Sequence, residues 1–210
     1  MKYFSKALLS ENSSRFNANL INSCTGYKSC NIIATKSSKG ITNAAIFNSV
    51  MHIGSNPPML GFIMRPLTVA RHTYDNIKET GCFTVNHVTE ALSMDAHQTA
   101  AKYGNNVSEF SKTALKEDYL HDFHAPFVKH SPIRLGCNYV NEYEIKENST
   151  ILMIGSIEHI YLEDDLVDAS GHILLEKSKT LTTLGLDGYA LPQHLYRLSY
   201  AQPDTPLKKL

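Results

Sequence analysis

From Lys28 onward the sequence alternates short β-forming runs with turn signals, and no long stretch carries a helical period. Residues 28–36 (KSCNIIATK) read as a strand, Ser37-Ser38-Lys39-Gly40 as a tight turn, and residues 41–50 (ITNAAIFNSV) as the antiparallel partner. Pro57-Pro58 opens a third strand, MLGFIM, because the first residue of a strand need not donate to the ladder. Thr73 is placed to cap a short helix over Tyr74–Thr80, with Gly81 supplying the left-handed stop. The strand CFTVNHV follows, with Cys82, Thr84 and Asn86 on one face and Phe83, Val85 and His87 on the other. A second helix is expected near residues 90–102, ending before Gly104-Asn105-Asn106, and residues 105–131 read as an irregular excursion. The chain then returns to strand at 133–146, 149–161, 171–175 and near Tyr196–Tyr200. Many short strands with inserted helices predict a mainly β (α+β) fold, a closed or partly closed antiparallel barrel. A doubly wound sheet would need regular strand–helix alternation. No GxGxxG, GxxxxGK[ST] or GxSxG occurs in the chain.

Composition narrows the function classes. With 210 residues, 42% hydrophobic and 19% charged, the chain has the make-up of one globular domain with a full core. Twenty Lys and Arg balance twenty Asp and Glu, so no basic footprint argues for nucleic acid or an anionic membrane. No apolar run is long enough for a transmembrane helix, and the first residues, MKYFSKALLSENSSRF, lack a signal-peptide pattern. A cytoplasmic protein without a membrane or nucleic-acid partner is expected. Cys24, Cys30, Cys82 and Cys137 show no CxxC or metal-ligand spacing, which favours free buried thiols. Residues 1–17 read as a polar arm bearing Phe4, Leu8, Leu9 and Phe16, and residues 18–210 as a single domain.

The most informative stretch is 41–81. A phosphate monoester needs a fixed cation, a hydroxyl donor and outward-pointing amides, and the start of a helix supplies the amides. Arg71-His72-Thr73 before a short helix offers all three, and Arg65 ends the preceding strand. The same residues equally fit an ordinary Thr cap beside solvated arginines. In the strand Asn43-Ala44-Ala45-Ile46-Phe47-Asn48-Ser49, two alanines are weak β-formers that leave backbone amides reachable by a flat ligand. Asn43, Asn48 and Ser49 add donors and acceptors of the kind a uracil-like edge requires. A close-packed subunit contact would also use such small residues.

The order TGYKSCNIIATKSSKGITNAAIFNSVMHIGSNPPMLGFIM, then RHTYDNIKETGCFTVNHV, resembles the flavin reductase-like family of FMN-binding split-barrel proteins. The end of the chain, GLDGYALPQHLYRLSYAQP, is also similar, and the likeness spans roughly residues 18–200. The resemblance implies an antiparallel Greek-key split barrel that works as a homodimer and holds FMN without a covalent bond at the subunit interface. It implies that Arg71, Thr73 and the helix amides hold the FMN phosphate with Arg65 as a second contact. It further implies that Asn43, Ala44 and Ala45 lie along the isoalloxazine ring and that Asn48, Ser49 and Val50 address the ribityl chain and the ring's polar edge. Thr35 would reach the flavin from across the hairpin. The implied activity is flavin reduction by NAD(P)H, with a monooxygenase or another electron acceptor as partner. Hydride transfer to a stacked flavin needs alignment and no protein acid or base at the reacting atom, so no catalytic side chain is assigned.

Two departures from the family pattern stand out. His72 occupies a position where the family usually has Asp. Asn148-Ser149-Thr150 stands where related short flavin reductases carry Gly-Asp-His, so the histidine that approaches the nicotinamide there is missing. The alternative is an FMN-binding electron-transfer protein that does not itself oxidise NAD(P)H. His121-Asp122-Phe123-His124 lacks a full metal-ligand set, and no metal is expected. Glu163-Asp164-Asp165 reads as a solvated turn. Tyr189, Tyr196 and Tyr200 fit either a substrate entrance or an interface rim.

Overall fold

The computed structural model describes residues 1–104 and 106–210, so the Asn105 part of the expected helix stop lies outside the described residues. Its centre is a seven-stranded sheet in the order β3-β2-β6-β9-β10-β5-β4. The strands are β2 (Asn31–Lys36), β3 (Thr42–Phe47), β4 (Met51–Ser55), β5 (Pro58–Met64), β6 (Cys82–His87), β9 (Ile133–Ile145) and β10 (Thr150–Leu162). Every neighbouring pair is antiparallel. The two edge strands, β3 and β4, are joined by Asn48, Ser49 and Val50 alone. Laid flat, seven strands would separate these edges by about 29 Å, whereas the chain from Phe47 to Met51 reaches at most about 14 Å. The sheet therefore rolls into a barrel. β3 and β4 share no ladder, which leaves the barrel split along this line. Ser49 ties the split to β5, its hydroxyl accepting the Ile63 N–H at 3.0 Å, and Ser29 Oγ donates to the Val50 carbonyl at 3.0 Å.

The rolled sheet encloses Ile33, Phe62, Met64, Phe83, Val85, Cys137 and Met153, all buried. Phe62 sits edge-on between Phe47 and Phe83, with centroids 5.3 and 5.4 Å away. A second cluster outside the barrel packs Ile32, Ala34 and Ala44 against Val88, Ala96, Phe110, Leu115 and Val128. β2 is thus covered on both faces, which explains a run of Ile-Ile-Ala where a half-exposed strand would alternate. β6 behaves likewise, keeping the two faces that its alternation predicts. Helix α3 (His72–Thr80) drives Ile77 into the inner cluster and ends at Gly81, with φ 73°.

Several expectations need correction. The expected strand 41–50 stops at Phe47, and the separate strand β4 precedes Pro57. The expected 90–102 helix is a single 3-10 turn, Glu90–Leu92, followed by α4 (Ser93–Gln98). Within 106–131 the chain is irregular apart from a 3-10 turn at Glu109–Ser111 and the two-residue strands β7 (Glu117–Asp118) and β8 (Phe127–Val128). Residues 171–175 and 196–200 form isolated bridges only, Val167 with Ile173 and Leu198 with Lys209. A small sheet pairs β1 (Lys28–Ser29) with β11 (Thr182–Leu184) and β12 (Gly188–Ala190). The N-terminal arm is helical: α1 (Lys6–Glu11) and α2 (Ser14–Cys24) are capped by Ser5 and Ser13, and α2 runs unbroken across residues 17 and 18. Cys24 is exposed, the other three cysteines are buried, and all four are free. No described helix is long and apolar enough to cross a membrane.

Gly155 of β10 lies under the Phe83 ring, where an added Cβ would stand 2.5 Å from Cζ. Gly155→Ala is expected to lose about 1–3 kcal/mol of stability by overpacking, read from urea unfolding. His87 has its Nδ1 without a hydrogen-bond partner, and burial holds the imidazole down at about 4, from an ordinary 6.5. The unfolded chain takes up that proton first, so His87 should cost the fold stability as pH falls from 6.5 toward 4. His87→Leu is expected to flatten the fall of the urea midpoint across this window.

Candidate functional site

The β2–β3 hairpin turns through Ser37–Gly40, with Gly40 at φ 84° and its N–H donating to the Ser37 carbonyl at 3.0 Å. α3 lies beside this hairpin, and two side-chain bonds join them. Asn43 Nδ2 donates to Thr73 Oγ1 at 2.9 Å, and Asn76 Nδ2 donates to Thr35 Oγ1 at 3.0 Å. All four residues are buried, so each polar group needs its partner. Since Thr73 Oγ1 accepts from Asn43, its own proton remains free to be given elsewhere. Asn76 is the member that sequence patterning missed, because mid-helix Asn carries no distinctive signal.

Thr73 is not the helix cap. Arg71 holds that position with φ −128°, and no side chain caps the helix there. The first intrahelical bond is from Asp75 N–H to the Arg71 carbonyl at 2.9 Å, so the amides of His72, Thr73 and Tyr74 precede the ladder. Arg71 Nε donates to the Pro66 carbonyl at 3.4 Å, folding the 65–71 connection back on itself. Arg65 is exposed directly after β5, and Asn48, Ser49 and Val50 are half-buried along the barrel split.

Two hollows flank this connection. One, about 300 Å³, is lined by Ser37, Lys39, Thr42, Asn43, His72 and Asn76, with Asp75 and Glu79 on its wall. The other, about 430 Å³, lies between Pro66-Leu67-Thr68 and Glu142, Glu144, Ser149 and Ile151. Ser149, with φ 57°, thus stands across this hollow from the residues after Arg65, and the neighbouring Asn148 side chain accepts the Thr150 N–H at 3.1 Å. Tyr74 donates to Glu142 Oε1 at 3.0 Å and Lys78 lies 3.3 Å from Glu142 Oε2, pinning α3 to β9 beside it.

Ala44 and Thr35 do not reach a ligand-accessible surface: both are fully buried. The Ala44 N–H, on the open side of β3, donates to Glu109 Oε2 at 2.9 Å and is not free for a flat ligand. Thr42 Oγ1 donates to Glu117 at 2.6 Å and meets Ser108 Oγ at 2.8 Å, so the excursion after residue 105 covers this edge. Burial raises the Glu109 carboxyl above its usual range, while the amides of Ala44 and Glu109 and the charge of His72 pull it back. Ala45 is half-buried and remains beside the split. Among the described residues no group of three or more His, Cys, Asp or Glu could hold a metal.

The family model described as "Flavin reductase like domain" matches residues 27–183, three quarters of the chain. The chain belongs to the flavin reductase-like family. A crystal structure from Shewanella frigidimarina, of a protein assigned as a flavin reductase with split barrel domain, superposes with TM-score 0.93 at 41% identity, covering 96% of this chain and all of that one. The component B of nitrilotriacetate monooxygenase from Bacillus cereus shares the fold at 22% identity and TM-score 0.82, covering 94% of this chain and 98% of that one. An uncharacterized Bacillus subtilis protein, YwrF, is 29% identical over 164 residues, 75% of this chain and 80% of its own. The split barrel and its flavin-linked oxidoreductase family are therefore established for this chain.

Glu109 offers a direct check on the site's frame. Glu109→Ala leaves the buried Ala44 amide without an acceptor and is expected to cost about 1–3 kcal/mol in urea unfolding. Glu109→Gln keeps an acceptor and should retain most of that stability.

Proposed function

We propose that this chain binds FMN non-covalently and acts as an NAD(P)H:flavin oxidoreductase. The observation that carries this reading is the uncapped start of α3, where Arg71 stands at the cap and the Thr73 hydroxyl is oriented by Asn43. The amides of Thr73 and Tyr74 in the first turn of α3, a guanidinium and a hydroxyl with an available proton form a donor set suited to a phosphate monoester. The 41% identity to the Shewanella protein over nearly the whole chain supports the same chemistry.

In this reading Arg71, Thr73 and the first amides of α3 hold the terminal phosphate, and exposed Arg65 swings onto it from the end of β5. Asn48, Ser49, Val50 and Ala45 line the ring and ribityl chain along the split, while Asn43, Ala44 and Thr35 set the frame behind them. Bound FMN supplies the hydride acceptor, and the chain contributes alignment and exclusion of water. Met51 and Ile53 of the unpaired edge strand β4 are 43% and 41% exposed beside the split. A second copy covering that edge would close the groove, which supports a homodimer with the flavin at its interface. The likeness to a monooxygenase component B favours a partner oxygenase or another electron acceptor in the cytoplasm.

The turn at Asn148-Ser149-Thr150 favours one second reading, an electron-transfer flavoprotein that takes no hydride directly from NAD(P)H, because among the described residues no histidine lines the 430 Å³ hollow there. Fluorescence titration with FMN tests the shared part: Arg71→Ala with Thr73→Ala should weaken binding several-fold or more, and an unchanged dissociation constant would refute the phosphate assignment. Stopped-flow mixing of the FMN-loaded protein with NADH and with NADPH separates the readings. Rapid bleaching of the flavin band is expected for the first, and no bleaching with either nucleotide leaves the second.

A further inference from the structure

After β12 the end of the chain folds back on itself. Leu198 bridges Lys209 in antiparallel register, the Ser199 N–H donates to the Lys208 carbonyl at 2.8 Å, and the Leu210 N–H donates to the Arg197 carbonyl at 3.1 Å. Alternation along this hairpin puts Tyr196, Leu198 and Tyr200 on one face, with Leu207 and Lys209 across from them. The Lys209 ammonium lies 4.6 Å from the Tyr196 ring, as neighbours on a shared face do. Arg197 points to the other side and ties the hairpin to the body. Its Nη1 donates to Asp168 Oδ2 at 3.0 Å and to Ser170 Oγ at 3.2 Å. Asp168 is fixed in turn, because its other oxygen accepts the N–H groups of Ser170 and His172 at 2.8 and 3.0 Å. The hairpin thus grips its own chain by a polar face and turns its apolar face outward. Tyr200 is 88% exposed, Leu207 56% and Tyr196 52%.

The small sheet that the hairpin leaves is fastened to the barrel split. β12 pairs with β11 and β11 with β1, and Ser29 of β1 holds the Val50 carbonyl. Met51 and Ile53 follow on the edge strand β4, which carries no Asp, Glu, Lys or Arg. An apolar face and an uncharged edge suit one another. Tyr196, Leu198, Tyr200 and Leu207 expose roughly 450 Å² between them, taking about 200 Å² for a whole aromatic side chain. In a two-fold pair each copy gives this face and receives its partner's, so on the order of 900 Å² per copy is covered. A stable interface needs about 800 Å² per partner, and an unrelated protein seated on the hairpin alone would cover only about half of that. The area therefore favours a second copy of this chain as the occupant.

Resting on the dimeric flavin reading above, we propose that the C-terminal hairpin of each copy docks its apolar face on the β3–β4 split of the other. The groove of one subunit is then completed by Tyr196 and Tyr200 of its partner. Tyrosine suits that place, since its ring offers flat apolar area while its hydroxyl stays in water. The clamp of Arg197 on Asp168 and Ser170 holds the hairpin ready before the second copy arrives, so little freedom is lost on docking. Exchange of the two arms makes each groove depend on both chains.

Photocrosslinking of the full chain tests this without any flavin. Tyr200→benzoylphenylalanine is prepared both nitrogen-15 labelled and unlabelled, and the two are mixed in urea and refolded together. Illumination should join position 200 to residues 48–55, and mass spectrometry should find adducts with one labelled and one unlabelled half. Adducts that pair only like with like, or none on residues 48–55, would overturn the exchange of arms. Sedimentation gives a second check. Tyr200→Glu with Leu207→Glu should raise the dimer dissociation constant by about tenfold or more, in keeping with charges placed in an apolar contact. An unchanged constant, or a monomeric wild type, would overturn the proposal. Titration of the wild type with FMN keeps the two failures apart: no binding would sink the flavin reading and leave mixed adducts standing, and tight binding without mixed adducts would do the reverse.

Discussion

Joining the two edges of a seven-stranded sheet by Asn48-Ser49-Val50 is the constraint from which the rest of this structure follows. So short a link leaves the sheet no option but to curl. Once curled, it encloses the Phe47–Phe62–Phe83 ring contacts, and it leaves a line along which no backbone ladder forms. That line is where backbone groups and half-buried side chains remain available to a ligand. A barrel closed all round would offer none.

The hairpin and α3 then fix what stands beside the split. Asn43–Thr73 and Thr35–Asn76 are buried bonds between side chains, and such pairs are costly to break because each partner would be left desolvated. They hold the start of α3 in one place without spending the Thr73 proton. Glu109 performs a related service at β3, taking the edge amide of Ala44 and keeping that strand from pairing elsewhere. The hairpin, α3 and β3 are thus fixed to one another by buried polar bonds.

Much of this was legible in the residues, for identifiable reasons. The Ser37–Gly40 turn and the Gly81 stop carry local backbone signals, and both stand where the sequence puts them. The long strands β9 and β10 and the two faces of β6 follow from β-propensity and alternation. What failed was non-local. Met51–Ser55 received no strand assignment, because nothing in Asn48-Ser49-Val50 announces a crossing between sheet edges. Thr73 matched the composition of a cap, yet its hydroxyl is claimed by Asn43, thirty positions away in the chain. Ala44 looked open because alanine is small, and its amide is closed by a glutamate from the irregular excursion. The helices α1 and α2 were hidden in a polar arm whose serine caps only make sense once the turns after them are seen.

The proposed flavin chemistry depends on a phosphate being gripped at the start of α3. Isothermal titration of the apoprotein with FMN and, separately, with riboflavin measures that grip alone, since the two ligands differ only by the phosphate. Binding of FMN tighter by about tenfold or more is the expected result, in keeping with charge-assisted hydrogen bonds to a phosphate. Equal affinity for the two would contradict it.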